Sequence, residues 1–132
     1  MNTVRAAVAV LSDTAGKILV ARRPADKICP GKWEFPGGKI EEGESSFDAV
    51  AREIREELDV HVSHGELLIS HVNRFPDRLV FLDVWLVRHW SGTPRSAEDQ
   101  DIMWTTPDEA RVLDFLPGRD AILAALDSVL VA

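Results

Sequence analysis

The chain of 132 residues carries 15 Lys and Arg against 22 Asp and Glu, which gives a formal net charge of -7 at pH 7. Its length suits one domain, and 45% hydrophobic residues suffice for a core, so the composition excludes intrinsic disorder. Because the surplus of charge is acidic, we expect no polymeric nucleic acid as a partner. A small phosphate compound bound through a metal ion remains compatible with this charge.

Features of exported and membrane proteins are missing from the sequence. No apolar run reaches the roughly 18 residues that a membrane span needs, and the first residues lack the basic and then apolar layout of a signal peptide. The single cysteine, Cys29, cannot form an internal disulfide, which fits a reducing compartment. We therefore expect a cytoplasmic protein without a membrane partner, and its oligomeric state stays open.

Apolar stretches rich in β-branched residues predict the strands. In chain order they span residues 4–11, 18–21, 67–71 and 79–88. Turn residues 12–16 separate the first two, and Pro76 and Asp77 separate the last two. Residues 24–38 contain three prolines and three glycines and predict a structured loop.

Capping signals predict where the helices begin. Ser45 can cap a helix that runs to Leu58, with Asp48 three residues after the cap. Residues 106–109, Thr-Pro-Asp-Glu, form a capping box, and residues 121–130 predict a final amphipathic helix. Strands that alternate with helices indicate a layered α/β fold.

The helix that ends at Leu58 has an apolar stripe beside an acidic one. Five apolar side chains fall within about 100° of one another around the helix axis. They are Phe47, Val50, Ala51, Ile54 and Leu58. Glu53, Glu56 and Glu57 occupy a neighbouring arc of about 100°. Their repulsion costs about 0.2–0.5 kcal/mol per pair, and the helix dipole disfavours anions at this end.

Two interpretations account for the three glutamates. They form the solvated face of a surface helix, or they supply the clustered carboxylates that a hard divalent cation such as Mg²⁺ requires. Ala49 lies in the middle of the acidic arc, where its small side chain would leave room for a ligand. Arg52 can form a salt bridge with Glu56 or orient Glu53.

A longer pattern surrounds these glutamates and resembles the signature of the Nudix hydrolases. It begins at Gly38, reaches Glu44 after five residues, and after seven more reaches Arg-Glu-Ile-Arg-Glu-Glu-Leu-Asp-Val at residues 52–60. The signature region spans residues 38–60, and Asp59 stands where the family has glycine. Aspartate tolerates the left-handed conformation of a helix C-cap, so we expect little damage there.

The resemblance extends to the MutT branch of this family, whose members hydrolyse oxidised guanine nucleoside triphosphates. It is carried by residues 33–40, Trp-Glu-Phe-Pro-Gly-Gly-Lys-Ile, by residues 75–78, Phe-Pro-Asp-Arg, and by residues 85–87. It implies an α/β fold with one Nudix domain over residues 1–132, in which a mixed β-sheet is sandwiched between α-helices. It also implies Mg²⁺, or Mn²⁺, as cofactor and a small nucleotide as substrate.

The resemblance implies a role for each of the clustered residues. The metal ligands would be the Gly37 carbonyl together with Glu53, Glu56, Glu57 and Glu98. Glu53 would act as general base, oriented by Arg52, with Glu44 as an outer member of the cluster. The residues placed against the substrate would be Arg23, Glu34, Phe35, Lys39, Phe75, Asp77, Arg78 and Arg119.

Arg119 leaves open which base the site prefers. In the MutT branch an asparagine at this point, near the start of the last helix, reads the oxidised base with one donor and one acceptor. Arginine has donors only and suits unmodified guanine, unless Asp120 accepts a hydrogen bond from N7–H.

The resemblance implies that the protein hydrolyses 8-oxo-dGTP, and dGTP, to the monophosphate and pyrophosphate, which would cleanse the nucleotide pool. One alternative is dCTP or another pyrimidine triphosphate, and a second is another nucleoside diphosphate derivative. A third alternative, from a different class of protein, is a nucleotide-binding module that does not hydrolyse its ligand.

Overall fold

The computed structural model describes residues 2–130. These residues form strands β1 (Asn2–Leu11), β2 (Ile18–Arg22), β3 (Trp33–Glu34), β4 (Gly37–Lys39), β5 (Glu66–Phe75), β6 (Arg78–Val87) and β7 (Ile102–Thr105). The helices are α1 (Ser46–Leu58), α2 (Pro107–Ala110) and α3 (Arg119–Leu130). No helix in this part of the chain is long and apolar enough to cross a membrane.

A mixed four-stranded sheet forms the centre of the fold, as the resemblance implies. Its order is β4-β1-β6-β5, with β1 parallel to β6 and the other neighbours antiparallel. A second, antiparallel sheet in the order β3-β2-β7 is not predicted by the sequence analysis. β3 has two residues and β7 has four, too few for the alternation typical of strands to be visible in the sequence.

The second half of β1 is buried on both faces because helices pack on both sides of the mixed sheet. Ala7, Ala9 and Leu11 belong to the apolar cluster that includes α1, whereas Val10 belongs to the cluster that includes α3. Successive strand residues point to opposite faces, which separates the two clusters. The expected sandwich of helices around a mixed sheet is therefore confirmed.

The four predicted strands are all present, and the β5–β6 hairpin is longer than predicted. β5 continues to Phe75, since its backbone stays paired with β6 up to the pair of Phe75 and Arg78. Polar residues such as Asn73 interrupt the apolar pattern of β5 but not its hydrogen bonds. The predicted loop at residues 24–38 also contains short strands, and α3 begins two residues earlier than predicted.

The ends of α1 are capped as the sequence predicts. The Ser45 hydroxyl accepts a hydrogen bond from the Asp48 N–H at 3.1 Å. At the other end, Asp59 has the left-handed conformation, with φ 57° and ψ 39°, and its N–H donates to the Arg55 carbonyl. Aspartate thus fills the place of the family glycine without loss of the cap.

The buried face of α1 is wider than the predicted apolar stripe. Ala49, which we expected to leave room for a ligand, is completely buried in the core and leaves none. Glu57 is buried as well, whereas Ala51 is only half-buried. The helix packs against β4 as well as against β1, so a second flank of the helix is covered.

The conformation of Asp59 predicts an order of stability for two substitutions. Both Asp59→Gly and Asp59→Ala remove the ion pair in which Arg95 Nε lies 3.0 Å from Asp59 Oδ2. Only the alanine variant keeps a Cβ in a left-handed conformation, so we expect it to be less stable than the glycine variant by about 1 kcal/mol. Urea unfolding measures the difference, and equal midpoints would contradict the C-cap conformation.

Candidate active site

A cavity of about 690 Å³ lies over one face of the mixed sheet. Its floor carries Val4, Ala6, Val8, Val80 and Leu82 from β1 and β6. The loop after β2, the segment of β3 and β4, and the segment before α3 form its walls. The volume is within the range of binding sites for small organic ligands.

Three acidic side chains line the end of this cavity next to β4. Glu53 and Glu57 come from the last two turns of α1, and Glu98 comes from the loop before β7. Glu57 is only 8% exposed, and its Oε2 accepts a hydrogen bond from the Gly37 N–H at 3.0 Å. We call Glu53, Glu57 and Glu98 the acidic end of the cavity.

Backbone hydrogen bonds attach the loop that carries Glu98 to the end of α1. The Arg95 N–H donates to the Leu58 carbonyl at 3.0 Å, and the Ala97 N–H donates to the Glu57 carbonyl at 2.9 Å. Carbonyls in the last turn of a helix have no partner within the helix, so they are available for such contacts. The same helix end therefore provides Glu57 and positions Glu98.

Burial and like charges perturb the acidic end. Desolvation by burial is the main cause that raises the pKa of Glu57 to about 9, and the charges of Glu53, Glu34 and Glu98 raise it further. The hydrogen bond from Gly37 acts in the opposite direction and is too weak to prevail. Glu57 is thus a buried carboxyl group whose surroundings disfavour its charged form.

Two glycines allow β4 to pass close to these carboxylates. Gly37 has φ +151°, and a Cβ there would meet the Ala7 carbonyl and the Val8 side chain of β1. A Cβ at Gly38 would lie 2.6 Å from Oε1 of Glu53. A larger residue at position 37 would push β4 away from the backbone of β1, whereas one at position 38 would displace the Glu53 carboxylate.

Arg52 connects the outer carboxylates to Glu53. Its Nε and Nη2 donate to the two carboxylate oxygens of Glu44 at 2.7 and 3.0 Å, and its Nη1 donates to Glu53 Oε1 at 2.9 Å. These contacts hold the pKa of Glu44 below its usual range. Arg52 and Glu44 therefore have the geometry expected for residues that orient Glu53.

Glu56 differs from the other expected metal ligands. Its side chain is 51% exposed, and its Oε2 lies 3.5 Å from Arg52 Nη1. Within residues 2–130 it is not part of the cavity lining. Of the three glutamates it lies farthest around the helix from the buried stripe, which explains its exposure.

Arg23 and Glu34 form a half-buried pair in the cavity wall. Arg23 Nη1 donates to Glu34 Oε1 at 2.9 Å, and Arg23 Nε donates to the Ile28 carbonyl at 2.7 Å. Burial raises the pKa of Glu34, and the charge of Arg23 counteracts this effect. Both expected substrate residues are brought to the cavity, but each already has a partner.

The remaining expected substrate residues are divided between the cavity and the surface. Phe35, Lys39, Phe75 and Arg78 line the cavity, and the Arg78 guanidinium lies 5.4 Å from the centre of the Phe75 ring. Asp77 does not line it and is exposed, since it lies at the tip of the β5–β6 turn. The expectation that Asp77 contacts the substrate is therefore not supported by its position.

Arg119 lines the cavity, and part of its guanidinium is already occupied. Nη1 donates to the Leu113 carbonyl at 2.8 Å and to the Ala110 carbonyl at 3.4 Å. Nε donates to the Asp120 carboxylate at 3.1 Å, but the Asp120 side chain is 85% exposed. Asp120 lies outside the lining of this cavity among the described residues, so it is not placed to accept a hydrogen bond from a bound base.

Asn73 is a cavity residue that the sequence analysis misses. It is 9% exposed and lies on the same face of β5 as Phe75, and its Nδ2 donates to the Pro117 carbonyl at 2.8 Å. The two-residue spacing from Phe75 is the one signal in the sequence that could have indicated it. The strand predicted from the sequence ends at residue 71, so Asn73 and Phe75 fall outside it.

Comparisons with known proteins agree with the geometry. The NUDIX domain family matches residues 2–126. The CTP pyrophosphohydrolase of Escherichia coli strain K12 is 39% identical over 118 residues, which cover 89% of this chain and 87% of the relative. The 8-oxo-dGTP diphosphatase of the same strain is 36% identical over 126 residues, which cover 96% and 98%.

Solved structures agree with the same assignment. The solution structure of the E. coli ORF135 protein matches with a TM-score of 0.84 and 36% identity, and covers 98% of this chain and 91% of that one. The family match spans almost the whole chain, and the Nudix fold expected from residues 38–60 is confirmed. The protein is therefore a member of the NUDIX family and, as its signature predicts, a Nudix hydrolase.

Proposed function

We propose that the protein hydrolyses nucleoside triphosphates to monophosphates and pyrophosphate, with 8-oxo-dGTP as its main substrate and dGTP as a poorer one. The observation that carries the proposal is one cavity that joins an acidic end to a part lined by Phe35, Phe75 and Arg119. The relative named 8-oxo-dGTP diphosphatase, which aligns with 96% of the chain, supports the choice of substrate.

A divalent cation, Mg²⁺ or Mn²⁺, fits the donors at the acidic end. Hard cations select oxygen ligands, and Glu53, Glu57, Glu98 and the Gly37 carbonyl offer only oxygen. The raised pKa of Glu57 means that neighbouring negative charge is poorly compensated there. Among residues 2–130 no group of three or more such side chains is placed to hold a metal ion. Binding therefore requires a change in side-chain conformation, which can also bring Glu56 to the ion.

Glu53 and Arg52 have different roles in the proposed reaction. When bound, Mg²⁺ neutralises phosphate charge and lowers the pKa of the attacking water. Glu53 accepts the proton of this water, whose oxygen bonds to phosphorus while the bridging P–O bond of the anhydride breaks. Arg52 keeps the Glu53 carboxylate in place through its contact of 2.9 Å.

The cations around the cavity fit the remaining charge of the triphosphate. Lys39 lies in β4 directly after the two glycines, and Arg23 lies across from it in the wall formed after β2. Arg23 is paired with Glu34 as the structure stands, so its contact with a phosphate competes with that ion pair. Lys39, which is exposed, is the more available of the two.

A cytidine or deoxycytidine triphosphate is the second candidate substrate. The relative named CTP pyrophosphohydrolase is 39% identical over 89% of the chain. Arg119 replaces the asparagine expected in the MutT branch, which favours a base other than that of 8-oxo-dGTP. We propose that either substrate is met in the cytoplasm, where the unpaired thiol of Cys29 stays reduced.

The proposed base predicts the effect of Glu53→Gln. The amide cannot accept the proton, so we expect pyrophosphate release to fall by at least about 100-fold. The fold should be retained, because the amide can still accept the hydrogen bond from Arg52. Glu66→Gln, at an exposed position on β5, is the matched control and should keep full activity. More than a tenth of the activity left in Glu53→Gln would show that another group is the base.

The proposed metal site predicts a thermal shift. Binding to the folded state should raise Tm with Mg²⁺ relative to EDTA, and the rise should be smaller in Glu57→Gln, which removes one ligand charge. In EDTA this variant should be at least as stable as the unchanged protein, because a buried amide needs no proton or cation. Scanning fluorimetry measures both shifts, with Glu66→Gln as control. An equal increase of Tm with Mg²⁺ in all three proteins would show that Glu57 is not a metal ligand.

Parallel assays decide between the substrates. We expect kcat/KM with Mg²⁺ to be at least about 100-fold higher for 8-oxo-dGTP than for dGTP, because a site that accepts a hydrogen bond from N7–H of 8-oxoguanine leaves its acceptor unpaired against N7 of guanine. CTP and dCTP are measured alongside, and pyrophosphate and phosphate are both quantified. A preference for a cytidine nucleotide would replace the main candidate by the second, and no hydrolysis of any nucleotide would favour a binding module.

A further inference from the structure

We propose that Asn73 reads the base of the bound nucleotide together with Arg119, and that its Oδ1 supplies the hydrogen-bond acceptor that arginine lacks. The inference rests on the proposed function and adds a specificity-determining residue to it. The occupant of this part of the cavity is a base that presents an N–H donor next to an acceptor. 8-oxoguanine has such an edge in N7–H and O6, and cytosine has one in its N4 amino group and N3, whereas the O6 and N7 edge of unmodified guanine carries two acceptors. The proposal therefore concerns the O6 and N7 edge of a purine.

Strand order and register place Asn73 diagonally across the mixed sheet from Gly37 at the acidic end. β4, with Gly37, is at one edge of the mixed sheet, and β5, with Asn73, is at the other. β1 and β6 lie between them, so the two strands are three spacings, or roughly 14 Å, apart. The register places Gly37 in the row of Ile69, so Asn73 is also shifted along the strands by four residues, or roughly 13 Å. A nucleotide whose phosphates are held next to β4 therefore extends its base across the sheet toward β5.

A hydrogen bond fixes the orientation of the Asn73 amide. Nδ2 donates to the Pro117 carbonyl at 2.8 Å, and because a carbonyl can only accept, the reversed amide would bring two oxygens together. Within residues 2–130 no hydrogen bond is made to Oδ1, and Oδ1 is not among the fully buried atoms that lack a partner, so it keeps some access to solvent. Oδ1 is therefore an acceptor without a protein partner on a cavity-lining side chain that is 9% exposed.

Gly118 makes the space that this amide occupies. A Cβ at position 118 would lie 2.6 Å from Asn73 Oδ1 and 3.1 Å from Nδ2. Gly118 also has φ +99°, a conformation that favours glycine. The residue just before Arg119 thus allows a side chain from β5 to reach the segment that carries the expected base-reading position.

Arg119 contributes the complementary donor. Its Nη1 and Nε donate to Leu113, Ala110 and Asp120, while Nη2 makes no hydrogen bond within residues 2–130. Arg119 follows Pro117 and Gly118, which both contact Asn73, and both Asn73 and Arg119 line the cavity. Nη2 and Oδ1 together offer one donor and one acceptor, which a single amide would otherwise provide.

The test replaces the Asn73 amide by an apolar side chain of similar shape. Affinities of Asn73→Leu and the unchanged protein for 8-oxo-dGMP, CMP and dGMP are measured by calorimetry. For each protein, the affinity for the better bound of 8-oxo-dGMP and CMP is divided by the affinity for dGMP. We expect this ratio to be at least about fivefold lower in Asn73→Leu than in the unchanged protein. The variant loses the acceptor for the N–H of the base and also loses the repulsion between that acceptor and guanine N7. A smaller change in this ratio would overturn the proposal.

Two further variants serve as a control and as a substitute for Asn73→Leu. Ser70→Ala changes the opposite face of the same strand, where Ser70 donates to Asp83, and should leave the ratio unchanged. If Asn73→Leu does not fold, Asn73→Ser is judged by the same fivefold criterion, because its hydroxyl keeps a donor while its shorter side chain withdraws the acceptor from the cavity. A shift of equal size in Ser70→Ala would overturn the assignment to Asn73.

The binding measurement separates this inference from the proposed function. If the unchanged protein hydrolyses no triphosphate but the affinity ratio falls in Asn73→Leu, the proposed function fails and the role of Asn73 stands. If hydrolysis occurs and the ratio is unchanged, only the role of Asn73 fails. If the unchanged protein binds none of the three monophosphates more tightly than the others, the inference fails as well.

Discussion

The close packing of β4 between β1 and the acidic side of α1 is the constraint on which the site depends. A Cβ at Gly38 would lie 2.6 Å from the Glu53 carboxylate, and one at Gly37 would lie 2.9 Å from a methyl group of Val8. With two glycines the strand fits, and the Gly37 N–H comes within 3.0 Å of Glu57. Because β4 pairs with β1, the whole mixed sheet fixes where these carboxylates face the cavity.

This packing buries more carboxylates than the cations of the protein compensate. Arg52 compensates Glu44 and Glu53 at hydrogen-bond distance. Among the described residues Glu57 has no such cation, and burial among like charges raises its pKa to about 9. A chain that only had to be stable would do better with an apolar residue there. The cost becomes intelligible if the uncompensated oxygen atoms serve to bind a cation.

Local and tertiary information explain which features could be predicted from the sequence. The ends of α1 and the spacing of its glutamates depend on a few consecutive residues, so Ser45, Asp59 and the acidic arc could be inferred. Ala49 was misjudged because its burial depends on a core cluster that includes Ala7 and Ala9 of β1, which are distant in sequence. Asn73 was missed for a similar reason, since only the β5–β6 register and the segment at Pro117 bring its side chain to the cavity.

The distinction between local and tertiary information also separates the residues proposed for the reaction from those proposed for the choice of substrate. Apart from Arg23 and Glu98, the groups proposed to act on phosphate lie in or next to the signature at residues 38–60, and β4 and α1 hold them together. The groups proposed to act on the base lie outside it, where β5 meets the segment before α3. Because β1 and β6 stand between the two edges, a substitution at Asn73 or Gly118 leaves the bond between Gly37 and Glu57 untouched. The signature can therefore identify the reaction in a sequence without identifying the base.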